Sequence, residues 1–164
     1  MGSRSTRGSL YDEVMSEAPK RPSTAPNRAA PGHRFVDHPS EAHLLVYGGS
    51  MAEVAGEAGR ALASLTLGEP LPESAGPWRE IELHSPDAVA LLVDWLNELI
   101  FLAESEHWMP LEFDVVEATA TYLHARMRGK ALGTSPSLVK AATHHGAKLE
   151  EMDGGLEAHL LLDV

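Results

Sequence analysis

The chain has 164 residues, 43% of them hydrophobic, which suffices for one domain around a single core. Its formal charge of -11 is unevenly placed: residues 1–34 carry a net +3, so the other 130 hold -14, and a domain that acidic repels a phosphate backbone. The lack of cysteine excludes disulfides, thiolate zinc sites and a cysteine nucleophile. No apolar run reaches the roughly 18 residues of a membrane span and no signal-peptide core opens the chain, so the expectation is a soluble cytoplasmic protein with no membrane partner and no direct, extensive nucleic-acid binding.

Residues 1–33, rich in Ser, Pro, Ala, Gly and Arg, read as a flexible basic tail, because they offer too little apolar surface to offset the entropy of ordering. Residues 34–164 read as the domain. It opens with a polar loop and then a strand in "HLLVYGG", where Leu44 and Val46 alternate with His43, Leu45 and Tyr47. "SMAEVAGEAGRALASLTLG" predicts a helix with Met51, Val54, Ala55, Ala58, Leu62 and Leu65 on one face. Ser50 and Glu53 form a capping box and Gly68 suits the far end. Gly56 and Gly59 each weaken that helix by about 1 kcal/mol relative to Ala, unless they serve close packing.

A Pro-rich connection leads to a half-buried strand at "WREIELHS". The next helix, in "SPDAVALLVDWLNELIFLAES", has Ser85 as its expected N-cap, Pro86 at its first position and Asp87 near the positive end of the dipole. Its apolar face is so wide that it should be covered on more than one side, leaving Asp94, Asn97 and Glu98 as a polar stripe. "WMPLEFDVV" and "YLHARMRG" read as paired strands. After the loop "GKALGTSPS", the run "LVKAATHHGAKLEE" and the closing "LEAHLLLDV" flank the turn "MDGG" as a hairpin. The expected fold is a single α+β domain of order strand, helix, strand, helix, then about four strands, with helices packed against antiparallel or mixed sheets.

Nine histidines invite a metal-site reading. Yet His144 and His145 are adjacent, so a strand would point them to opposite faces, and no His-Glu-x-x-His helix is present. No Gly-x-Ser-x-Gly elbow or phosphate-cradling glycine loop occurs. Two acidic positions stand out, Glu41 before the first expected strand and Asp163 at the end of the last. Oxygen donors of this kind suit a hard divalent cation, although an acidic residue beside a chain end is most often only solvated.

Four segments, "FVDHPSEAHLLVYG", "WLNELIFL", "VKAATHHG" and "LLLDV", taken in this order, resemble the archease family. The resemblance spans residues 35–164. It implies a small α+β protein that is not an enzyme but a cofactor of RtcB-type RNA ligases, which join a 3'-phosphate or 2',3'-cyclic phosphate end to a 5'-hydroxyl end using GTP in tRNA splicing or RNA repair. Family members promote guanylylation of the ligase and its multiple turnover.

The resemblance places the family's metal-binding carboxylates on Glu41 and Asp163, with Val164 adding a terminal oxygen, and the activity-linked lysine on Lys140. The implied cofactor is a divalent metal ion: calcium, with manganese or magnesium as alternatives. Glu41 departs from the family's aspartate by one methylene. His145 matches a frequent family histidine, and His144 stands where an aromatic residue is common. Two rival readings remain: a non-catalytic, chaperone-like interaction module, and an independent metal-dependent hydrolase.

Overall fold

The computed structural model describes residues 30–37, 40–134 and 139–164, with the main chain alone for Asp37. In chain order its elements are β1 (Gly32–Asp37), β2 (Glu41–Gly48), α1 (Met51–Leu67), β3 (Ala75–His84), α2 (Ala88–Ser105), β4 (Trp108–Ala118), β5 (Tyr122–Ala131), β6 (Ala141–Met152) and β7 (Gly155–Asp163). The strands form two antiparallel sheets, a larger one of order β1-β2-β7-β6 and a smaller one of order β3-β5-β4. Both helices contact both sheets and each other.

The expected α+β domain is therefore what forms, with one strand more than the sequence suggested. Residues 1–29 of the expected tail lie outside the described residues. Gly32 and His33, assigned to that tail, begin β1, and the segment read as a polar loop is an edge strand paired to β2. Two contacts hold it. Phe35 packs against the core, and His33 Nδ1 lies 2.5 Å from Glu57 Oε1 on α1. Arg60 Nε donates to the other Glu57 oxygen at 3.0 Å. Hydrogen bonding from His33, helped by Arg60, holds the Glu57 carboxyl below its ordinary range against the opposing effect of burial.

Helix α1 begins as expected: the Ser50 hydroxyl accepts from the Glu53 N–H at 3.2 Å, and the Glu53 carboxylate accepts from the Gly49 N–H at 2.5 Å. It ends at Gly68, whose φ of 78° suits a residue without Cβ and whose N–H donates to the Ser64 carbonyl. The two interior glycines differ. A Cβ at Gly59 would lie 2.6 Å from the Phe113 ring of β4, whereas one at Gly56 would meet only ordinary contacts, the nearest at 3.5 Å. Gly59 thus lets the smaller sheet approach the helix.

Helix α2 is capped by Asp87, which accepts from the Ala90 N–H at 2.8 Å, and not by Ser85. Ser85 is buried, and its hydroxyl is committed to Asp94 at 2.6 Å. The breadth of the apolar face is explained by cover on several sides: Leu91, Leu92, Val93, Trp95, Leu96 and Leu99 are all fully buried. Trp95 Nε1 donates to the Ala55 carbonyl of α1 at 2.8 Å, so the indole joins the two helices without an unpaired polar atom.

Candidate metal-binding tip of the larger sheet

The register of the larger sheet arranges its side chains in rows. Alternation along β2 and β7 sends Leu44, Val46, Ala158, Leu160 and Leu162 into the core and their neighbours to the face turned away from the helices. The successive rows on that outer face, read from β2 through β7 to β6, are Tyr47-Glu157-Glu150, Leu45-His159-Lys148, His43-Leu161-Thr143 and Glu41-Asp163-Ala141.

The last row is the tip. Glu41 and Asp163, 122 positions apart in sequence, are direct cross-strand partners, so their Cβ atoms are separated by about 4.5–5.5 Å. Both side chains are exposed, and among the described residues neither enters an ion pair with a basic side chain. Like charges placed directly opposite one another in a sheet repel. The arrangement thus carries an electrostatic cost that a cation would relieve.

Lys140 is brought to the same end. Its N–H donates to the Asp163 carbonyl at 2.8 Å, and its side chain is exposed. This junction is fixed from the helical layer by Asn97, whose amide donates to the Ala142 carbonyl at 3.0 Å and accepts from the Ala142 N–H at 2.9 Å. The polar stripe of α2 is thereby accounted for at Asp94 and Asn97, both of which brace chain segments. Val164 packs partly buried against the core, so the end of β7 is anchored.

The donor set suits a hard divalent ion: two carboxylates on adjacent strands with main-chain oxygens close by, and no thiolate or imidazole in the row. The structure brings Glu41, Lys140, Asp163 and Val164 to one end of the larger sheet. His144 and His145 are exposed within the irregular stretch of β6 between Thr143 and Lys148, where the register with β7 shifts. Residues 135–138, within the loop before Lys140, lie outside the described residues.

The same face carries a second group of potential ligands. Glu150, Glu157 and His159 bring one ligand atom each to within 4.8 Å of one another. A signal for it is present in the sequence: the turn at Asp153-Gly154 pairs Met152 with Gly155, and counting outward from it sets Glu150 opposite Glu157.

Fold and tip define a class: a two-sheet α+β protein presenting opposed carboxylates at the end of a central strand. Comparison with known proteins gives the family. The profile described as the Archease protein family (MTH1598/TM1083) matches residues 33–164. The chain is 31% identical over 141 residues to "Protein archease" of Methanothermobacter thermautotrophicus, covering 81% of this chain and 99% of that one. It is 28% identical to the protein of the same name from Methanosarcina mazei, with 80% and 95% covered.

Among solved structures, it resembles the solution structure of Methanobacterium thermoautotrophicum protein 1598, with a TM-score of 0.65, 29% identity and coverage of 81% and 99%. It shares its fold with a Thermotoga maritima protein described as an archease, possible chaperone, with a TM-score of 0.51, 18% identity and coverage of 80% and 96%. The chain belongs to the archease family.

Proposed function

We propose that this protein is a non-enzymatic cofactor of an RtcB-type RNA ligase, acting in tRNA splicing or RNA repair through the tip formed by Glu41, Lys140, Asp163 and Val164. The observation that carries the proposal is the pairing of Glu41 with Asp163 in a single cross-strand row, with Lys140 joined to the same residue by its main chain. The acidic charge of the domain supports a division of labour in which the ligase holds the RNA.

At the tip, Glu41 and Asp163 would hold a calcium, manganese or magnesium ion, with Val164 supplying a main-chain oxygen. Such an ion, when bound, supplies positive charge able to neutralise phosphate oxygens. The protein's own contribution is positional. Leu160 and Leu162 fix β7 in the core, Asn97 fixes the start of β6, and the two carboxylates are consequently held together before any partner arrives. Pre-organisation of this kind removes an ordering cost from binding. The lysine ammonium of Lys140 adds a mobile positive charge beside them.

The test is reconstitution of the cognate ligase with GTP and a broken RNA, with and without this protein. Wild-type protein is expected to increase ligase guanylylation and to support repeated sealing; Asp163→Ala is expected to lose most of both while retaining its circular dichroism spectrum. Full activation by Asp163→Ala would remove Asp163 from the function.

The chaperone-like reading, suggested by the description of the Thermotoga maritima protein, calls for an apolar client surface. The exposed large apolar residues among the described ones, Val36, Trp78, Phe101 and Val116, stand one each on four elements, so no single strand or helix presents an apolar face to a client. An independent hydrolase predicts phosphoester turnover by the purified protein alone, which the same assay without ligase measures.

A further inference from the structure

We infer that the outer face of the larger sheet carries a second metal site, built from Glu150, Glu157 and His159 and suited to zinc. It lies apart from the tip: His159 precedes Asp163 by four residues on β7, which places it about 13 Å along the strand. The inference stands independently of the function proposed for the tip.

The three donor atoms lie within 4.8 Å of one another. His159 Nε2 lies 2.9 Å from Glu157 Oε1 and 3.9 Å from Glu150 Oε2. The first contact is a hydrogen bond that a metal would replace; ligand atoms of a tetrahedral zinc, at metal distances near 2.0–2.2 Å, stand about 3.3–3.6 Å apart, so small side-chain adjustments would close the group on an ion. The set is mixed, with one imidazole and two carboxylates, a combination that favours zinc over the hard ions suited to the tip. His159 is also the least exposed of the three, its side chain 16% accessible. It is flanked by the His43 ring, whose centroid lies 5.7 Å away, so the ligand that would bind through nitrogen is sterically held.

The electrostatics point the same way. Glu150 and Glu157 are direct cross-strand partners, a like-charge pair that is unfavourable unless a cation lies between them. Without metal, two groups serve that need: the His159 ring, and Lys148, whose Nζ is 3.1 Å from Glu150 Oε1. Lys148 therefore occupies one of the carboxylates that zinc would use. It acts as a competitor, and its removal should strengthen zinc binding.

The experiment measures zinc affinity of the full chain by competition with a chromophoric chelator, in a Glu41→Ala/Asp163→Ala background that removes the tip carboxylates. One equivalent of zinc should remain bound. His159→Gln or Glu157→Gln in that background should weaken it by about tenfold or more, since even outer partners of metal ligands are worth that much. Lys148→Met should tighten it severalfold, and His144→Gln with His145→Gln should leave it unchanged. Undiminished binding by both the His159 and Glu157 variants, or an equal loss from the His144 and His145 changes, would overturn the site. Loss of all zinc with the tip substitutions alone would overturn it too, while leaving the reading of the tip intact.

Discussion

The two sheets differ in how fully they pair their surface charges. On the smaller sheet, acids and bases face each other across strands: Arg126 pairs with Asp114, Arg128 with Glu112, His124 with Glu80, and the Tyr122 hydroxyl donates to Glu82. Two of those arginines also lie 5.5 and 5.6 Å from the Trp78 ring. On the larger sheet, the rows at Glu41-Asp163 and Glu150-Glu157 oppose acid to acid. Lys148 and His159 offset the second of these rows from within the face, whereas the Glu41-Asp163 row enters no ion pair with a basic side chain among the described residues and is completed by a cation or a basic partner. The larger sheet is accordingly where the chemistry should be sought.

The largest effects come from detaching each sheet from the helices. Gly59→Ala places a methyl group against Phe113 and should cost about 1–3 kcal/mol in urea unfolding. Gly56→Ala, which meets no such obstacle, should be neutral or stabilise by up to about 1 kcal/mol. On the other sheet, Asn97→Ala leaves the N–H and carbonyl of Ala142 without their partner and should cost about 1–3 kcal/mol. Only this second change should also weaken ligase activation, because it loosens the strand that starts beside Lys140.

A smaller effect separates β1 from the rest. The Glu57 carboxyl is held below its ordinary range, so its contribution to stability is complete above the unfolded value of about 4.3 and is lost as pH falls through that value to the lower folded one. Urea unfolding between about pH 6 and pH 3 should therefore show a steeper acid loss for the wild type than for Glu57→Gln.

The smallest effect tests the comparison itself. Without divalent ions, Glu41→Gln should stabilise the fold by a few tenths of a kcal/mol, up to about 1, by relieving repulsion at the tip. Arg126→Ala should destabilise it by a similar amount through loss of the pair with Asp114. Thermal unfolding in chelator resolves the two signs, and added calcium should reverse the order of wild type and Glu41→Gln.

What the sequence disclosed follows from the range of the interactions involved. Helix α1 was legible with its cap at Ser50 because both capping partners lie within three residues, and the last hairpin because Asp153-Gly154 dictates its own register. The N-cap of α2 lies two residues beyond the Ser85 that the local pattern favours, since Ser85, Pro86 and Asp87 all suit a helix start. The choice was settled by Asp94, a partner for Ser85 that only the folded helix presents. Strand β1 has the local pattern of a loop because its six residues, "GHRFVD", hold just two large apolar side chains, and what makes it a strand is β2 on one side and Glu57 beneath.

At the tip, the family pattern named Glu41, Lys140 and Asp163. Their juxtaposition depends on β7 lying between β2 and β6, a sheet order that local patterns do not encode. The Glu150-Glu157-His159 group was within reach of the sequence through the hairpin count, yet nothing local marks three polar residues on exposed strand positions as convergent.

The placement of β7 has a consequence for how the molecule breathes. Strand β7 is paired along both edges and carries Ala158, Leu160 and Leu162 with almost no accessible surface. Its inner amides should be among the last to exchange with deuterium, opening only when the whole domain unfolds. Edge strand β1, paired on one side, should exchange much earlier. Glu41 and Asp163 therefore sit at the ends of β2 and β7, the two strands of this sheet that are paired along both edges, and fraying of edge strands can come and go without disturbing the position from which their carboxylates are presented.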